Sequence, residues 1–317
     1  MALAAWIGAE ELEHLLSDEE VRHHLAISLE KPLAGEPIRV VQQDPVGHLI
    51  MMAASWQDMS LSLVKILYER PLNRESHSSK PVFNGSVTIY DADGTFQVAI
   101  DGAAFTGMRT AAIAALSTEW LALQRDRLAI LGAGFEAYYH AKALALLPGV
   151  HEIYLWNRSE PKALALKARL EKLPQFSRIL VKVCPRVEDA VCNADVITTV
   201  TASPSPILTA SMVKPTVLIN AMGAYRPTTR EIDGDIVEHA ALYADYLPAC
   251  LAEAGEYLIP AASGRLDLKR VLPLSMARTL GPQAGITVMK SVGSAIFDLA
   301  CADCFPRRGE KPTVAIP

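Results

Sequence analysis

Residues 127–137 read Arg-Leu-Ala-Ile-Leu-Gly-Ala-Gly-Phe-Glu-Ala. A short apolar run enters Gly132-x-Gly134-x-x-Ala137 and passes into a helix-compatible stretch through Leu147. Each part of that order has a physical role. Gly132 permits a tight turn off a strand, Gly134 lets the backbone approach a pyrophosphate, and Ala137 is small enough for a helix to pack on the strand. A helix starting there offers unpaired N–H groups and a positive dipole end to phosphates. The pattern therefore points to a dinucleotide, with Gly132, Ala133, Gly134, Phe135, Glu136 and Ala137 as its cradle. The competing reading is a strand–helix turn with incidental glycines.

The surrounding chain favours the cradle. Further apolar, strand-like runs fall at 152–156, 179–183, 195–200 and 216–220, separated by helix-like stretches at 160–172 and 186–193. Strands alternating with helices predict a doubly wound parallel sheet of the Rossmann type. The end of the second strand reports which dinucleotide binds. An Asp or Glu there would hydrogen-bond a ribose 2′-hydroxyl, whereas this chain has Asn157, Arg158 and Ser159. A guanidinium suits phosphate, so the sequence favours NADP(H) and leaves NAD(H) open. The alternative for Arg158 is a solvated loop side chain. Thr199-Val200-Thr201, at the end of a later strand, lines the same cleft by position.

The first hundred residues read differently. Helices are expected over 10–16 and 18–29, followed by strands at 38–42, 48–54, 61–68, 82–90 and 95–100 with no helices between them. Asp91-Ala-Asp93-Gly94 marks a hairpin turn. A mainly antiparallel sheet follows, with a polar loop over 74–81. A helix is expected from Arg109 to about Leu123, and another over Met289–Cys301.

A chain of 317 residues, half of them hydrophobic, has material for two domains. A net charge of −5 and a pI near 5.9 give no electrostatic footprint for nucleic acid. No apolar run is long enough to span a membrane, and no basic leader pattern opens the chain, so a cytoplasmic protein is expected. The five cysteines (184, 192, 250, 301 and 304) are scattered and odd in number, which argues against a disulfide framework. Cys301-x-x-Cys304 has no second Cys or His pair near it in sequence, so no metal is expected.

Several segments together resemble the ornithine cyclodeaminase/mu-crystallin family. They are Asp101-Gly102, Thr106-Gly-Met-Arg109-Thr-Ala-Ala112, Leu131-Gly-Ala-Gly134, Ile153-Tyr-Leu-Trp-Asn-Arg158, Ala194-Asp-Val-Ile-Thr-Thr-Val-Thr201, Ile219-Asn-Ala-Met-Gly-Ala-Tyr-Arg-Pro227, Arg230-Glu-Ile-Asp233 and Lys290-Ser-Val-Gly293. The resemblance implies a Rossmann domain over 114–286. It also implies an α+β substrate-binding and dimerisation domain over 1–113, completed by 287–317, and a homodimer. It adds Ala221, Met222, Gly223, Ser291, Val292 and Gly293 to the candidate cofactor residues. The implied chemistry acts at a carbon bearing an amino or imino group beside a carboxylate, so the partner is a small amino or imino acid.

Within that resemblance, Arg109 matches the carboxylate-binding arginine, and Arg39 of Pro37-Ile-Arg39-Val looks like a second one. Two guanidiniums can hold one carboxylate in fixed orientation. The alternatives are a helix-terminal surface arginine for Arg109 and an unrelated strand arginine for Arg39. Two departures stand out. Cyclodeaminases carry an Asp where this chain has Tyr225, and a tyrosine is a poor base at neutral pH. The family's strand lysine corresponds to Lys65, displaced by three positions. An odd displacement is expected to turn it to the other face unless a bulge restores it. The open readings are an imino-acid reductase, an ornithine cyclodeaminase, an amino-acid dehydrogenase and a non-enzymatic dinucleotide-dependent binder.

Overall fold

The computed structural model describes residues 5–58, 60–74 and 81–305, so most of the loop expected over 74–81 lies outside the described residues. The chain divides into two compact units. One is Met1–Arg109 with Ser294–Pro317, and the other is Thr110–Gly293.

The first unit opens with β1 (Ala5–Ile7), α1 (Ala9–Leu15) and α2 (Asp18–Ser28). A capping box starts α2: Ser17 Oγ accepts the Glu20 N–H at 3.1 Å, and the Glu20 carboxylate accepts the Ser17 N–H at 3.0 Å. The strands β2 (Ile38–Asp44), β3 (Gly47–Ser55), β4 (Ser62–Glu69), β5 (Phe83–Tyr90) and β6 (Phe96–Asp101) follow. They form an antiparallel meander, and β1, unmarked in the sequence reading, adds in parallel beside β6. Side chains alternate as one covered face demands. Along β4, Leu63, Lys65, Leu67 and Glu69 are buried while Val64, Ile66 and Tyr68 are exposed.

The helix expected from Arg109 begins earlier. It is α3 (Gly102–Leu121), which places Arg109 inside the helix rather than at its end. Asp101 Oδ1 accepts the Ala104 N–H at 2.8 Å and caps it, and Thr106 Oγ1 donates back to the Gly102 carbonyl at 2.6 Å. These bonds carry the helix back through Thr106-Gly107 to Gly102. Gly102 itself is required by space: a Cβ there would lie 2.8 Å from the Ser86 nitrogen.

The second unit alternates β7 (Arg127–Leu131), α4 (Phe135–Ala145), β8 (Glu152–Trp156), α5 (Glu160–Leu170), β9 (Leu180–Val183), α6 (Val187–Val191), β10 (Val196–Thr199) and β11 (Val217–Ala221). It continues with α7 (Gly234–His239), β12 (Ala241–Ala244), α8 (Leu247–Glu253), α9 (Gly255–Ala262), β13 (Val271–Pro273), α10 (Ala277–Leu280) and β14 (Ile286–Lys290). The strands form one parallel sheet in the order β13-β12-β14-β11-β10-β7-β8-β9. Strands buried on both faces read as continuous apolar runs, as Leu128–Leu131 and Val217–Ile219 do. From β7 the chain builds the sheet first toward β8 and β9, then toward β10 and β11. The β7/β10 junction is thus the switch point of a doubly wound fold, where the strands' carboxyl ends open a crevice for ligands.

The helix expected over Met289–Cys301 is instead the end of β14 followed by α11 (Ala295–Ala302). Residues 286–290 pair with both β11 and β12, which makes them a central strand. Gly293, at φ +82°, then breaks the chain, and Ser294 Oγ caps α11 by accepting the Ile296 N–H at 3.4 Å. In the first unit α11 packs on α2, β3 and β4. Asp303, just beyond it, accepts the Trp56 indole N–H at 2.8 Å and the Lys31 ammonium at 3.5 Å. Among the described residues no helix is long and apolar enough to cross a membrane.

Candidate functional site

The five segments selected from sequence as cofactor candidates all sit at carboxyl ends of neighbouring strands of the parallel sheet. They follow β14, β11, β10, β7 and β8, which are contiguous in that order. Gly132 adopts φ +121°, and a Cβ there would meet the Val200 carbonyl oxygen at 2.7 Å, so β10 approaches too closely for any side chain. Gly134 is different: a Cβ on it would meet nothing within 4 Å. Gly134 is also the N-cap of α4 and makes no side-chain cap, so the first-turn N–H groups of Phe135, Glu136 and Ala137 lack one. An open cradle over an uncapped helix start fits a dinucleotide pyrophosphate. Ala137 is fully buried where the helix packs.

Asn157 has a task the sequence did not reveal. Its Oδ1 accepts the Ala133 N–H at 3.2 Å, and its Nδ2 donates to the Ser159 carbonyl at 2.9 Å. It ties the end of β8 to the glycine turn. Arg158 beside it is exposed.

Two buried carboxylates, neither assigned a role from sequence, organise the remaining strand ends. Glu231 accepts Thr199 Oγ1 at 2.8 Å, Thr201 N at 2.6 Å, Thr201 Oγ1 at 2.8 Å, Gly223 N at 2.7 Å and Ala224 N at 3.2 Å. Asp245 accepts Ser291 Oγ at 2.6 Å and Gly293 N at 3.0 Å. The donors of Thr199, Thr201, Gly223, Ser291 and Gly293 are thus directed at the protein rather than into the crevice. Behind them the Lys290 ammonium lies 3.1 Å from Glu256 and donates to the carbonyls of Ala221 at 3.1 Å and Ala224 at 2.5 Å. Burial pushes the Glu256 carboxyl up, against the pull of Lys290. The loop carrying Met222 to Tyr225 is therefore held from both sides. Tyr225 is half-buried, and its hydroxyl accepts from Arg226 Nη2 at 3.1 Å.

The first unit holds a second charged assembly. Arg39, Met52, Lys65, Val87 and Ile100 form one row across β2–β6, so Arg39 and Lys65 share the covered face. Lys65 is 1% exposed, and its register with β3 and β5 is unbroken from 62 to 69. The expectation that it turns to the other face is therefore corrected: no bulge is needed, because its alternation with Leu63 and Leu67 already points it inward. Lys65 Nζ donates to Asp298 at 3.0 and 3.2 Å, and Arg109 Nε donates to the same carboxylate at 3.1 Å. Arg39 is half-buried, with Nη1 3.6 Å from the Met52 sulfur.

Burial pushes the Lys65 ammonium down to about 8; Asp298 opposes this, while Arg109 and Arg39 add to it. Burial alone would raise Asp298, but Lys65 and Arg109 overrule it and hold the carboxylate below its usual range. Removing one member of such a buried set costs roughly 3–5 kcal/mol, so the cluster is part of the fold as well as of any chemistry. Among the described residues no group of three or more His, Cys, Asp or Glu side chains is arranged to hold a metal ion.

Comparison with known proteins bears on family and fold. The family model described as ornithine cyclodeaminase/mu-crystallin matches residues 17–308. Ketimine reductase mu-crystallin from Mus musculus is 35% identical over 315 residues, covering 90% of this chain and 94% of that protein. A solved structure of Thermococcus litoralis Delta(1)-pyrroline-2-carboxylate reductase with NADH and L-proline superposes with a TM-score of 0.86 at 22% identity, over 94% and 95% of the two chains. An archaeal alanine dehydrogenase dimer with bound NAD gives 0.83 at 23% identity, over 95% and 94%. At such identities the two structures speak for the fold, while the family match and the mouse relative settle membership: the chain belongs to the ornithine cyclodeaminase/mu-crystallin family.

Proposed function

We propose that this protein is an NAD(P)H-dependent oxidoreductase that reduces the C=N bond of a cyclic imino acid beside its carboxylate. The observation that carries the reading is the pairing of two buried cations, Lys65 and Arg109, in a family whose relatives include a ketimine reductase. The Gly132–Ala137 turn, Asn157–Ser159 and the ends of β10, β11 and β14 are assigned to the dinucleotide. When bound, the reduced nicotinamide supplies the hydride. The chain's own residues then have simpler work. Arg109, with Arg39 and Lys65, holds the substrate carboxylate and so fixes the adjacent carbon. A ketimine protonated at nitrogen needs no strong base, which suits Tyr225, whose hydroxyl is engaged with Arg226.

Exposed Arg158 favours NADP(H) through the 2′-phosphate. A second copy of the chain is the proposed occupant of the outer face of the antiparallel sheet, where Ile38, Val40, Val64, Ile66 and Tyr68 lie exposed. A lysine lost from the covered face would suit the non-enzymatic reading, and Lys65 lies buried on that face. The test is NADPH oxidation with five- and six-membered cyclic imines, each with and without the 2-carboxylate. Turnover confined to the carboxylates supports the proposal. Ammonia release from ornithine without net cofactor turnover would replace it with cyclodeamination.

A further inference from the structure

Lys65 and Arg109 meet at a residue that the sequence reading passed over. Asp298 lies on α11, fully buried, and its Oδ1 accepts from both Lys65 Nζ and Arg109 Nε, at 3.0 and 3.1 Å. Arg109 thereby gives Asp298 its Nε donor, and its two Nη groups make no hydrogen bond to a described residue. A fixed Nε leaves the bidentate edge of the guanidinium for another carboxylate. We infer that Asp298 is a positioning residue: it keeps Lys65 charged in a buried place and fixes the Arg109 fork, so that both cations stand ready for the substrate's carboxylate. This rests on the imino-acid reading for its substrate, but the contacts stand without it.

The charges around Lys65 make the inference specific. Asp298 faces it from α11, Arg109 from α3 and Arg39 from β2. Cys301, on α11, is pushed well up by burial and is neutral. Glu69 shares the covered face of β4 but is given to His48, at 3.1 Å. Among the described residues, Asp298 is thus the anion bonded to both Lys65 and Arg109. Burial and the two arginines oppose the Lys65 proton, and the carboxylate favours it, consistent with a lysine held near 8. An opposite charge at this range is worth about 1–3 pH units.

The experiment follows the Lys65 side chain by 13Cε chemical shift against pH, assigned with Lys65→Arg, in the wild-type protein and Asp298→Asn. It is paired with the pH profile of kcat/KM for imine reduction. The expected result is a Lys65 titration lower by at least about one pH unit in Asp298→Asn. The alkaline limb of kcat/KM should move with it, so the variant approaches wild type near pH 6 and falls about fivefold or more behind it near pH 8, mainly through KM. NADPH affinity stays unchanged. An unmoved Lys65 titration overturns the inference whatever the activity. Absence of turnover by the wild-type protein overturns the imino-acid reading and leaves the titration to decide the role of Asp298. Should Asp298→Asn fail to fold, Asp298→Glu answers the same question. It retains the charge, so the limb should stay near its wild-type position while KM rises from the displaced fork; an unchanged KM refutes the positioning role.

Discussion

Gly132 and Gly134 stand two residues apart in one turn, yet the structure gives them opposite liabilities. An alanine at 132 meets a φ of +121° and the Val200 carbonyl at 2.7 Å. The backbone strain costs about 1–3 kcal/mol, and the forced displacement of β10 adds about 1–3 kcal/mol. A loss of roughly 2–6 kcal/mol lowers the melting temperature on the order of 10 °C. An alanine at 134 meets nothing within 4 Å, so stability should change by less than about 0.5 kcal/mol. Its methyl instead fills the space assigned to the pyrophosphate. Losing one charge-assisted hydrogen bond there, about 1.5–3 kcal/mol, weakens NADPH by roughly 10- to 150-fold. Thermal unfolding without ligand, and NADPH fluorescence titration, separate the two effects. Undiminished NADPH binding by Gly134→Ala, or an unchanged melting temperature in Gly132→Ala, would refute the reasoning.

Arg158→Ala should weaken NADPH by about 1–3 kcal/mol, the scale of a charged hydrogen bond, and leave NADH nearly unaffected; titrating both cofactors checks this, and equal losses would remove Arg158 from the 2′-phosphate. Tyr225→Phe should retain most imine reduction, because no base is required at that position; a loss of a hundredfold in kcat would restore the hydroxyl to the chemistry. In the wild-type protein kcat/KM should fall as pH rises through about 8, where Lys65 loses its proton and with it the charge that holds a carboxylate. The same substrate in Lys65→Arg should show no such limb, since a guanidinium stays charged.

The parallel sheet was legible because its signals are local. Apolar runs such as Leu128–Leu131, and the glycine turn after them, sit within a dozen residues. The antiparallel meander was legible for the same reason, through alternation along β4 and the Asp91–Gly94 turn. What escaped depends on distant partners. Asp298 gains its meaning only when β4 brings Lys65 to it across 233 residues of sequence. Glu231 sat inside a recognised motif, yet nothing local shows that it gathers donors from two strand ends. Lys65 was misjudged because its place was counted along a pattern, whereas the pleat is set by pairing with β3 and β5. The start of α3 lies seven residues before Arg109 because Asp101, at the end of β6, caps the helix through the Ala104 N–H.

In the proposed reaction hydride passes to the carbon that bears the carboxylate. Reduction of Delta(1)-pyrroline-2-carboxylate with NADPH deuterated at C4, with mass and NMR analysis of the product, tests it most directly. The expected product is proline carrying deuterium at Cα, formed in step with NADP+, from whichever C4 face the enzyme uses. Complete consumption of NADPH without deuterium at Cα when both C4 positions are labelled, or no NADPH consumption at all alongside ammonia release from ornithine, would contradict it.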